Sequence, residues 1–127
     1  MSVSAENSVN ALVVLVVEDE FPTRCAIADY LREAGYVVVE TDSGEEAIAL
    51  CKSDVSIDIV FTDINLSGSA SGWDVAECFR MDRPDVPVLY TSGKRIDAQR
   101  CVPGSVFVLK PYNSTDVLSA CQRLRNK

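Results

Sequence analysis

The sequence predicts an α/β fold, a doubly wound five-stranded parallel sheet with helices on both faces. Three observations carry that expectation. Five short apolar runs rich in β-branched residues read as strands covered on both sides. Segments with apolar residues at helical spacing alternate with them. The chain has 127 residues, 47% of them hydrophobic, enough for one domain with a substantial core.

Residues 1–10 are polar, lack the basic start and apolar run of a signal peptide, and read as a flexible N-terminal tail before a domain at 11–127. Ala11–Val17 is the first strand and ends abruptly in Glu18-Asp19-Glu20. Pro22 suits a first helical turn. Cys25, Ile27, Ala28, Leu31 and Ala34 then recur at helical spacing, and Gly35 stops the helix. Tyr36–Val39 is the second strand. Ser43 and Glu46 form a capping box for a helix whose apolar face is Ala47, Ile48 and Leu50. Ile57–Phe61 is the third strand, ending at Thr62-Asp63. A Ser- and Gly-rich loop, Ile64–Gly72, leads to a helix over Trp73–Met81 with Val75, Ala76 and Phe79 inward. Trp73 reads as a packing residue, close enough to that loop to report on metal binding. Asp82–Pro87 is a breaker, and Val88–Tyr90 is the fourth strand, ending at Thr91-Ser92-Gly93. Lys94–Gly104 has room for one short helix. Val106–Leu109 is the fifth strand, ending at Lys110-Pro111, and a last helix runs from Ser114 to Arg125.

Composition narrows the function. The net charge is −7, and the only basic cluster is the short tail Arg123–Lys127, so direct nucleic-acid binding is not expected. The longest apolar run is too short to span a bilayer. Cys25, Cys51, Cys78, Cys101 and Cys121 are widely spaced, with no Cys-x-x-Cys pair. They read as reduced thiols, which together with the missing signal peptide points to a cytoplasmic protein. There is no histidine to serve as base or metal ligand.

Open parallel sheets bind ligands beyond the carboxyl ends of their strands, where the strand order reverses. In the flavodoxin-like order 2-1-3-4-5, that point brings together Glu18, Asp19 and Asp63, with Thr91 and Lys110 from the next two strands. The second strand lies outboard, so Glu40-Thr41-Asp42 has no part in the chemistry. Three converging carboxylates repel one another unless a cation joins them. An all-oxygen donor set selects Mg²⁺, Ca²⁺ or Mn²⁺, and Mg²⁺ characteristically combines one or two carboxylates with phosphate and water. A cation and Lys110 would offset the charge of an incoming phosphoryl group. Asp63 could then attack phosphorus to give an aspartyl phosphate, with Thr91 and Lys110 hydrogen-bonding its oxygens.

From Leu12 to Leu124 the chain resembles the receiver domain of two-component response regulators. The matching pieces are Glu18-Asp19, Asp63, Leu66-Ser67-Gly68, Thr91-Ser92-Gly93 and Lys110-Pro111-Tyr112. The resemblance implies that Asp63 is the phosphoacceptor, and that Glu18, Asp19, Asp63 and the main-chain carbonyl of Asn65 hold Mg²⁺. It implies a cis bond before Pro111 and a switch pairing Thr91 with Phe107. The partners implied are a sensor histidine kinase or histidine phosphotransfer protein, and an unidentified output protein. A homodimer through the fourth and fifth helices is compatible with the family, although the short Thr91–Lys110 stretch leaves little room for that fourth helix. Glu18 stands where aspartate is commoner, and Phe107 lacks the hydroxyl of a tyrosine. The Asp63–Gly72 loop is one residue longer than in the simplest receivers, a form associated with hybrid kinases.

Two other functions fit the sequence less well. A haloacid-dehalogenase-like enzyme needs a second aspartate two residues after its nucleophile, where this chain has Asn65. A degenerate receiver, acting as a phosphorylation-independent interaction module, usually lacks the acceptor, the lysine or the acidic pair, all of which are present.

Overall fold

The computed structural model describes residues 11–96 and 98–126; the expected tail at 1–10 lies outside them. Strands β1 (Val13–Val17), β2 (Val37–Thr41), β3 (Ile59–Asp63), β4 (Val88–Ser92) and β5 (Val106–Leu109) form one parallel sheet. Their order is β2-β1-β3-β4-β5, as expected from the sequence. The helices are α1 (Phe21–Glu33), α2 (Gly44–Cys51), α3 (Gly72–Asp82) and α4 (Ser114–Arg125).

Side chains alternate across a strand, so each strand feeds two cores. Val14, Val16, Ile59, Phe61 and Leu89 meet Ile27 and Leu31 of α1 and Val117 and Cys121 of α4. Leu15, Val17, Val60, Val88 and Tyr90 meet Ala47 of α2 and Val75 and Phe79 of α3. Burial on both faces is what the unbroken apolar runs require. Of the apolar face expected for α1, Ala34 is exposed at the helix end.

Several boundaries differ from the sequence expectation, each for a polar reason. β2 begins after Tyr36 and continues through Glu40 and Thr41. Glu40 pairs with Arg24 and Arg32, and the Thr41 carbonyl accepts the Glu18 N–H at 3.1 Å. β3 begins at Ile59 because the Asp58 carboxylate turns to accept the Val13 N–H at 2.8 Å. Ser43 does cap α2, but Glu46 accepts from the Thr41 hydroxyl instead of closing a box. The complete capping box is Ser71–Asp74 at the start of α3, which the sequence reading missed because aspartate replaces the usual Glu or Gln.

The Lys94–Gly104 segment holds no α-helix among its described residues. It carries a single 3₁₀ turn, Ala98–Arg100. Arg100 reaches Glu77 and Asp74 on α3, and the Tyr90 hydroxyl accepts the Val102 N–H at 3.1 Å.

Candidate functional site

Asp63 is the last residue of β3 and is 5% exposed. The sheet register puts it directly beside Thr91, the fourth residue of β4. Glu18 and Asp19 follow β1, the other neighbour of β3, and carboxylate oxygens of Glu18, Asp19 and Asp63 lie within 4.8 Å of one another. Lys110, one residue past β5, reaches inward to Asp63 Oδ2 and Glu18 Oε1, each at 2.7 Å. The topology thus brings Glu18, Asp19, Asp63 and Lys110 to one rim, with Thr91 adjoining. The outboard Glu40 and Thr41 are occupied in contacts within the fold.

Each acid is held differently. Glu18 is 3% exposed, and burial raises its pKa beyond what the Lys110 and Glu20 contacts offset. Its Oε1 meets the ammonium without an aligned hydrogen bond. Asp19 is half-buried; burial pushes its pKa upward, but hydrogen bonds from the Ser67 hydroxyl at 2.7 Å and amide at 3.0 Å bring it below the ordinary value. Asp63 Oδ1 accepts the Asn65 N–H at 3.1 Å. The Lys110 pKa is raised: burial lowers it, but the hydrogen bond to Asp63 and the negative charges of Asp63 and Glu18 prevail.

The set fits a hard divalent cation: three anionic oxygen donors against one ammonium, with Glu18 Oε1 buried and lacking a hydrogen bond. Asn65 extends its side-chain amide to the Ser92 hydroxyl at 3.1 Å, which fixes the loop next to the acids.

Thr91 is 2% exposed and donates its hydroxyl to the Val108 carbonyl at 2.8 Å, one residue past Phe107. Phe107 is half-buried against the core beneath α2 and α3. The Lys110-Pro111 peptide is cis. Trp73 packs against Tyr90 with ring centroids 5.1 Å apart.

Supporting residues went unread in the sequence. Ser67 orients Asp19, while Ser69 donates its amide and hydroxyl to Glu45 of α2, both at 3.0 Å. Arg24 of α1 donates to the Glu18 carbonyl at 3.1 Å and to Glu40 at 3.3 Å, tying the acidic turn to β2. Gly72 lets the loop return onto the Asp63 backbone, donating its N–H to the Ile64 carbonyl at 2.9 Å. Gly72, as the glycine closing the loop, and Ser67, within the Leu66-Ser67-Gly68 piece, carried a signal; Arg24, Glu45 and Ser69 are polar residues that nothing local marks out.

Comparison with known proteins agrees with this geometry. The family model described as the response regulator receiver domain matches residues 14–122. A response regulator receiver protein from Sinorhizobium medicae WSM419 is 33% identical, with a TM-score of 0.90 over 93% of this chain and 97% of its own. A cyclic di-GMP phosphodiesterase of Thermotoga maritima is 30% identical over 87% of this chain, which spans only 24% of that protein's length. The two-component response regulator ORR5 of Oryza sativa is 29% identical over 87% of each chain.

Proposed function

The chain belongs to the response regulator receiver family, and on that premise we propose that it is a phosphorylation-controlled switch whose acceptor is Asp63. The observation that carries this is the single rim on which Asp63, nearly buried, meets Glu18, Asp19 and Lys110. Glu18, Asp19 and Asp63, with the Asn65 main-chain carbonyl, would hold Mg²⁺. When bound, that ion supplies positive charge against the phosphoryl oxygens. Asp63 attacks phosphorus through a carboxylate oxygen, forming the aspartyl phosphate while the donor's leaving group departs. Lys110 turns its ammonium from the free carboxylate to a phosphoryl oxygen. Thr91 exchanges its bond to the Val108 carbonyl for one to the phosphoryl group, which frees the backbone beside Phe107. That exchange couples the site to the β5 surface, where an output partner would sense it. The donor is a phosphohistidine, carried by a sensor kinase or a phosphotransfer protein.

Intact mass after incubation with a small acyl phosphate tests the reading, with and without Mg²⁺, beside Asp63→Asn. The expected result is a Mg²⁺-dependent gain of one phosphoryl group that the variant lacks. No gain, with Mg²⁺ binding shown separately, would instead make this a phosphorylation-independent interaction module.

A further inference from the structure

Away from the acidic rim, Cys51 ends α2 and Cys78 lies within α3. Both are half-buried at the seam between these packed helices, near enough that Cys78 helps to raise the Cys51 pKa. They line the same open surface cavity, whose rim carries Asp74, Glu77 and Asp82. Two thiols lining one cavity, reachable from solvent and carried by packed helices, form a pair that a disulfide can join.

We propose that Cys51 and Cys78 are an oxidisable dithiol, which a peroxide-class oxidant closes to an intramolecular disulfide joining α2 to α3. Peroxide oxidises the first sulfur to a sulfenic acid and releases one water. The second thiol displaces the sulfenic hydroxyl, releasing another water. The dithiol gives up two hydrogens and two electrons, and the peroxide O–O bond is reduced. Burial first, then the neighbouring Cys78, pushes the Cys51 thiol up to about 12, so it stays protonated at neutral pH. Either sulfur can be attacked first, the other then resolving the sulfenic acid. The reaction is slow beside that of a dedicated peroxide sensor.

The link has consequences for the loop between β3 and α3. Gly44, which opens α2, lies against Ala70 of that loop, and Gly72, which opens α3, lies against the backbone of Asp63. A disulfide would staple together the two helices that clasp it. The inference does not depend on phosphoryl transfer at Asp63.

The test is peroxide treatment of the reduced full chain, followed by intact mass and by peptide mapping without reduction. The expected product is a monomer lacking two hydrogens, with Cys51 linked to Cys78 and reversal by dithiothreitol. Cys51→Ser and Cys78→Ser should each abolish the link, and Cys25→Ser should keep it. Because the link is mapped on the unaltered chain, a misfolded variant does not shelter the proposal. Oxygen added to sulfur without linkage, a link through Cys101, or one between chains would overturn it.

Discussion

The Lys110 ammonium stands 2.7 Å from Asp63 Oδ2 and 2.7 Å from Glu18 Oε1, one cation shared by two nearly buried acids. With Asp19 beside them, the cluster holds three carboxylates against one ammonium. The lysine therefore restrains the acids in the metal-free protein.

Removing that cation should expose the imbalance. Lys110→Met is expected to cost about 2 kcal/mol without metal, since both acids lose their nearest counter-charge. In melting temperature that is a drop of roughly 8 °C, largely recovered on adding Mg²⁺. Phosphoryl uptake should fall at least about tenfold, the effect of losing one charged hydrogen bond in the transition state. Calorimetric melting with and without Mg²⁺ checks the first pair of expectations, and mass spectrometry the last.

Acidity should act on metal binding through Glu18. Its pKa lies above the usual 4.5, with burial as the leading cause. Mg²⁺ needs the carboxylate, so affinity should decline on acidification sooner than an ordinary glutamate would allow. The folding contribution has the other sign. A raised carboxyl pKa gives stability below the unfolded value, and this is lost as pH rises through the folded value. Glu18→Gln should thus raise the metal-free melting temperature at neutral pH while weakening Mg²⁺. Titration calorimetry between about pH 5 and 8 distinguishes the two effects.

Most of the fold and the residues that meet at the acidic rim were legible in the sequence because strand ends are marked by abrupt polarity. Val17 to Glu18, Phe61 to Asp63 and Leu109 to Lys110 are such boundaries. What stayed hidden depends on three-dimensional pairing. Nothing local marks Ser67 as the partner of Asp19, or Glu45 as the anchor of Ser69. Of the one short helix expected within Lys94–Gly104, the described residues form a 3₁₀ turn at Ala98–Arg100, where Arg100 is tied to α3 and the nearby Val102 to Tyr90.

Those hidden ties are separable by substitution. Ser67→Ala removes the hydroxyl that orients Asp19 and should weaken Mg²⁺ about tenfold, as loss of a ligand's supporting hydrogen bond generally does. Glu45→Ala acts one link further away, through the Ser69 amide and hydroxyl. Its effect should have the same direction and be smaller, with the melting temperature nearly unchanged because Glu45 is exposed. Equal effects from the two variants would contradict this ordering.

Gly72 is constrained by space rather than by torsion. A Cβ there would lie 2.1 Å from the Asp63 carbonyl oxygen and 2.7 Å from the Ile64 Cα, both backbone atoms. Neither can rotate away, so Gly72→Ala is expected to cost about 3 kcal/mol or more and to displace Asp63. Gly93→Ala is the comparator, since a Cβ there meets nothing within 4 Å. Denaturant melts of the two should differ by most of that amount.

Among the contacts that hold the turn before β5 are two of unlike kind, whose strengths can be ranked. Arg100 bonds Glu77 at 3.1 Å and Asp74 at 3.2 Å, all on the surface, and its guanidinium lies 5.8 Å from the Trp73 ring centroid. Exposed ion pairs give back much of their attraction to water and side-chain entropy, so Arg100→Ala should leave global melting almost unchanged. The Tyr90 hydroxyl instead accepts the N–H of Val102 in a buried setting. Tyr90→Phe strands that donor where water does not reach it, which costs about 1–3 kcal/mol. Amide exchange separates global from local loosening. Arg100→Ala should speed exchange around residues 99–101 alone, whereas Tyr90→Phe should speed it at Val102 and lower the melting temperature too. A larger melting shift for the arginine variant would mean that charge, and not the buried neutral bond, anchors this segment to the sheet.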